Sequence, residues 1–122
     1  MNAKAEEAIR LLKTKADRGE LIPTGGLGDL LSPFRNSPDL EEQFFADFRD
    51  YINSPGRSNA VALWEKLRST AGHTHEITED PQRWEGATRQ LLQMLLVPFT
   101  DDTFSTKHIS ALFKAIKEEV EG

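Results

Sequence analysis

Three histidines and no cysteine bound the chemistry this 122-residue chain can attempt. Two of them stand in His73-Thr-His75-Glu76, followed by Glu79 and Asp80. Imidazole and carboxylate together suit zinc or a similar ion. Two histidines with no third histidine or cysteine beside them are an incomplete ligand set, and a solvated polar loop explains them. His108 joins them only if the fold brings the start of the last helix there. No metal is assigned. The lack of cysteine removes disulfides, thiolate metal sites and cysteine nucleophiles.

Other catalytic patterns fail on their requirements. Thr24-Gly25-Gly26-Leu27-Gly28 could turn backbone N–H groups toward an anion. A phosphate loop of the G-x-x-x-x-G-K-[ST] kind also needs a preceding strand and a lysine, and neither is here. The G-x-S-x-G elbow and the S-x-x-K signature are both missing. Glu41-Glu42, Asp101-Asp102 and Glu118-Glu119 read as solvated faces. The expectation is a non-enzymatic protein without a cofactor.

Two surfaces could bind a macromolecule. In Ser105-Thr-Lys-His-Ile-Ser-Ala-Leu-Phe-Lys114, residues Thr106, Lys107, Ser110 and Lys114 face outward, as in a DNA-recognition helix. The preceding connection, Pro98 to Phe104, exceeds a helix-turn-helix turn and sets two aspartates against phosphates. The charge balance, 15 basic against 20 acidic residues and a net −5, opposes nucleic acid as well. The other surface lies on the second helical segment, where Asp39, Glu42, Asp47 and Asp50 flank a phenylalanine-rich arc with Phe45 at its edge. Such acids steer association while aromatics supply affinity. Leu27, Leu30 and Phe34 of the glycine-rich stretch would adjoin that patch.

Five amphipathic segments must position these groups. Helix one, about Ala3 to Arg18, repeats Ala5, Ala8, Ile9, Leu12 and Ala16 before Gly19. Its alanine face packs closely but weakly, so its first turns should fray. Helix two starts at Ser37-Pro38-Asp39, with serine as cap and proline at the first position, and runs to about Asn53. Leu40, Phe44, Phe45, Phe48, Tyr51 and Ile52 cover an arc of about 140° on it. Helix three follows Ser58 or Asn59 as cap and ends at Gly72. It turns Ala60, Val61, Leu63, Trp64, Leu67 and Ala71 inward. Helix four opens at Thr78-Glu-Asp-Pro81. It carries Trp84, Ala87, Leu91, Met94 and Leu95 as its stripe. Leu92, Leu96 and Val97 widen that stripe, which makes helix four the central one. Pro98 stops it. Ser105 caps helix five, whose narrow stripe of Ile109, Leu112, Phe113, Ile116 and Val120 predicts a one-sided surface helix. Acids at its end oppose the helix dipole, so that end should fray or meet something basic.

No segment alternates with β-branched enrichment. The fold expected is one all-α domain over residues 1–122, a compact bundle of about five helices. A Gly-rich apolar segment, residues 19–36, crosses between the first and second helix. The charged start, Met1-Asn-Ala-Lys, lacks a signal-peptide core, which predicts a cytoplasmic protein. The longest apolar run, Leu91 to Phe99, falls far below the ~20 residues a membrane span needs. The function expected is that of an adaptor, inhibitor or immunity-type factor that binds a larger protein. Its contacts would be Phe45, Asp47, Asp50, Leu27, Leu30 and Phe34. A helical nucleic-acid-binding domain, or a small subunit of a nucleoprotein complex, is the alternative. A homo-oligomer formed through the helix-two arc would consume the same surface.

Overall fold

The computed structural model describes residues 3–22, 38–74 and 79–122, and among these there are five α-helices and one short 3₁₀ turn. In chain order they are α1 (Ala3–Asp17), α2 (Pro38–Asn53), α3 (Arg57–Thr74), α4 (Pro81–Leu96) and α5 (Thr106–Glu121). The 3₁₀ turn, Val97–Phe99, follows α4. Among the described residues there is no strand, and the chain is an all-α bundle. The glycine-rich segment lies outside the described residues, apart from its first four positions.

The helix ends follow local rules. After α1, the Gly19 N–H donates to the Ala16 carbonyl at 3.0 Å and the Glu20 N–H to that of Lys15 at 2.9 Å. These are the two bonds of a Schellman motif, and Gly19 takes the left-handed conformation it needs, φ 76°. At α4, the Asp80 carboxylate accepts from the Gln82 N–H at 3.0 Å with Pro81 in the first turn. Asp80 is thus the cap of that helix; Thr78 lies outside the described residues.

Helix α3 departs from expectation at both ends. It begins at Arg57 and continues past Gly72 to Thr74. Asn59 serves the neighbouring helix instead. Its side-chain amide donates to the carbonyls of Asp50 and Ser54, occupying acceptors at the C-terminal end of α2.

A correction concerns which helices are central. Helix α4 packs chiefly against α3 and α5, while α3 and α5 each pack against three helices. Helix α5 buries His108 and Ala115 beside Ile109, Leu112, Phe113 and Ile116, so it is no one-sided surface helix. The reason is steric. Ala5 and Ala8 of α1 are completely buried, and their small side chains let the α1 backbone come close to α5, its main neighbour.

Ion pairs lie at both ends of this pair. Near the start of α1, Glu7 Oε2 lies 3.2 Å from His108 Nε2, and Glu7 also pairs with Lys4. The His108 contact, with a smaller contribution from Lys4, holds the Glu7 carboxyl below its ordinary value. His108 is positioned by its own helix cap, as its Nδ1 accepts from the Ser105 N–H at 3.0 Å. That bond leaves the proton of a neutral imidazole on Nε2, facing Glu7. At the far end of α5, Lys117 bridges Glu85 at 2.8 Å and Glu121 at 3.9 Å. Arg57 reaches the end of the same helix, its Nη1 3.9 Å from where a Cβ on Gly122 would stand. A guanidinium there complements the helix dipole.

Glu119, also in this last turn, faces the buried hydroxyl of Tyr51 on α2. Burial first, and the Glu119 carboxylate second, push the phenol far above the ordinary tyrosine range. Tyr51 is the only tyrosine, so absorbance near 295 nm reports it alone. In the unfolded chain it ionises near pH ~10. The folded-state pKa is raised, so this contribution to stability is complete below that pH and declines as pH rises. The expected result is no tyrosinate signal until alkaline unfolding, in contrast to an exposed phenol. Reversible ionisation near pH 10 with the helical circular dichroism intact would contradict the packing described.

Candidate functional site

The acidic and aromatic positions expected to meet a partner separate in the structure. Phe45 is completely buried, its ring edge-on to Phe44 at 5.1 Å and to Phe99 at 5.9 Å. It belongs to the core. Phe44, Phe48, Tyr51 and Ile52 are buried with it, so the α2 arc from Phe44 to Ile52 is filled within the monomer. Asp47 is half-buried and Asp50 exposed. Leu27, Leu30 and Phe34 lie outside the described residues.

The accessible aromatic surface is elsewhere. Helix α3 carries Val61 and Arg68 three or four residues from each of Trp64 and Glu65, which places the four on one face. The start of α4 adds Trp84 and the end of α5 adds Val120, and together these line an open cleft of about 400 Å³. Both tryptophans are half-buried. The Trp64 ring leans on Phe113 at 5.4 Å, which anchors it to the core from one side. The Arg68 guanidinium sits 5.1 Å from the centroid of the Trp84 ring, a cation–π stack. Gly72 makes room for that indole, because a Cβ there would come within 3.0 Å of Trp84 Cη2. This explains a glycine inside a helix that local propensity would have stopped.

Carboxylates surround this floor. Glu65 borders the cleft directly, and Glu85 and Glu121 border its extension past Pro81. Lys117 ties the last two together. The hydrogen bond from Lys117 to Glu85 raises the lysine pKa, so the ammonium stays charged throughout the physiological range. The cleft therefore offers aromatic faces, one stacked guanidinium and an acidic border.

Sequence periodicity put Trp64 and Trp84 among the inward residues, and the structure leaves each at the rim of the core. The available signal was the spacing Trp64, Arg68, Gly72, one large, one long and one absent side chain along a single helical row. The residues of the nucleic-acid alternative, Thr106, Lys107, Ser110 and Lys114, are all exposed on α5. The backbone of His73 belongs to α3, His75 and Glu76 lie outside the described residues, and His108 is buried between Phe104 and Glu7. Among the described residues no group of three or more His, Cys, Asp or Glu side chains is placed to hold a metal. No described helix is long and apolar enough to cross a membrane.

Comparison with protein-family models, curated proteins and solved structures finds no match to this chain.

Proposed function

We propose that this chain is a non-enzymatic protein-interaction module, an adaptor, inhibitor or immunity-type factor that binds a larger protein through an acidic and aromatic helical face. The face is the Trp64–Arg68–Trp84 cleft rather than the arc of α2. One observation carries the reading: two half-buried tryptophans bracket a pre-stacked arginine in an open cleft. Tryptophan and arginine are the residue types that most often dominate binding energy at protein interfaces. Their rotamers are already held by Phe113 and by each other, which lowers the ordering cost of association. The border of Glu65, Glu85 and Glu121, on a chain of net charge −5, selects a partner that brings an apolar anchor flanked by basic residues.

The test is a tagged capture from nuclease-treated lysate of the source organism, with wild type and Arg68→Glu in parallel. Arg68 is exposed, so the variant should retain its helical circular dichroism. One protein recovered stoichiometrically by wild type should bind the variant about 30-fold more weakly, the scale of a hot-spot residue. Equal capture by both proteins, or no captured protein, counts against the cleft as a docking site.

A further inference from the structure

A second groove runs between α4 and α5 on the other side of the Glu85–Lys117 bridge. Its volume is about 530 Å³. Helix α4 contributes Arg89 and Gln93, and α5 contributes Ser110, Lys114 and Lys117, with Phe113 between the rows. Arg89 and Gln93 are four residues apart, as are Ser110 and Lys114, so each pair stands on one helical face. Two rows of hydrogen-bond donors thus face a shared trough.

The charge in this trough runs against the rest of the molecule. Three cations line it with a single carboxylate, Glu85, and that carboxylate is engaged by Lys117 at 2.8 Å. Arg89 and Lys114 are left without an ion pair among the described residues. The whole chain has 15 cations against 20 acids, so a cation-rich trough is a local reversal of sign. The Ser110 hydroxyl and the Gln93 amide add neutral donors, and the guanidinium supplies the planar fork that pairs with phosphate oxygens.

We infer that the groove formed by Arg89, Gln93, Ser110 and Lys114 binds the phosphate groups of an anionic ligand. Its length along two helical rows suits successive phosphates better than one small anion. Thr106, Lys107, Ser110 and Lys114, read from the sequence, suggest a DNA-recognition helix. The structure adds Arg89 and Gln93 from a neighbouring helix, and the binding unit becomes a trough rather than one helix face. This inference is independent of the protein-docking cleft. The two share only Glu85, Phe113's neighbourhood and Lys117, which the test leaves untouched.

The experiment titrates the full chain, at about 50 mM salt, with inorganic phosphate, pyrophosphate and a fluorescein-labelled mixed-sequence DNA single strand. Wild type is compared with Arg89→Gln/Lys114→Gln, and with Arg10→Gln/Lys13→Gln, which removes equal charge from the exposed side of α1. The expected result is oligonucleotide binding that weakens steeply with salt. The first double variant should bind about tenfold more weakly, with a salt slope shallower by about 1.4, while the second matches wild type. Saturable binding of phosphate or pyrophosphate without the oligonucleotide, lost in the same variant, assigns the groove to a small phosphorylated ligand. Binding that falls equally in both double variants overturns the inference, as does the absence of binding by all three probes.

Discussion

Phe48→Ala should remove about 3–5 kcal/mol of stability, the range for deleting a buried aromatic ring. Phe48 is completely buried and stacks parallel to Phe44 at a centroid distance of 5.8 Å, and Phe44 in turn meets Phe45 edge-on. The three rings interlock along one face of α2. Helix backbones on either side limit collapse into the space left behind, so the cavity cost adds to the lost transfer energy. A domain of this size has a total stability on the order of 5–15 kcal/mol, so the variant should lie close to its unfolding limit. Urea denaturation checks this: the midpoint should drop sharply with an unchanged slope. A loss below about 1 kcal/mol, the scale of surface substitutions, would mean the arc of α2 is not core. It would return Phe45 to the list of partner contacts.

Leu112→Ala should cost about 2–5 kcal/mol, as large-to-small changes in cores do. Leu112 is completely buried on α5, a helix with α1, α3 and α4 around it. Neighbours on three sides leave no easy direction for collapse. Val120→Ala near the end of the same helix, where the side chain is half-buried, should cost about 1 kcal/mol or less. Equal and small losses at both positions would restore the view of α5 as a peripheral helix. The same denaturation assay decides it, since both variants keep the charge and the helix-forming character of the wild type.

How legible the fold was depended on how local each determinant is. Apolar spacing placed all five helices, and Ser105, Pro81 and Gly19 marked three of their ends, because capping is chemistry within a few residues. Gly72 and Asn59 misled for the converse reason. The glycine accommodates an indole from α4, and the asparagine serves the end of α2, so each answers to another element. Centrality was misjudged by counting apolar positions around α4. Alanines on α1 and α5 count little on such a scale, yet they set how closely two backbones approach.

The candidate sites were less legible still. Phe45 is covered by Phe99, more than fifty positions away in the chain, a contact no local pattern reveals. Trp84 stacks against Arg68 of another helix, which its place in an apolar stripe does not reveal. Arg89 and Lys114 carry no shared pattern in the sequence; they meet because α4 and α5 pack side by side.

The sequence by itself determined the all-α class, the five helices of the described residues, most of their ends and the absence of thiol chemistry. Those properties follow from periodicity, capping and composition, each of which acts over a turn or two of helix. Only the tertiary structure decided which apolar faces were left uncovered, which charges met a counter-ion and which helices stood at the centre. Burial and ion pairing belong to pairs of surfaces, and the identity of the second surface is not written next to the first.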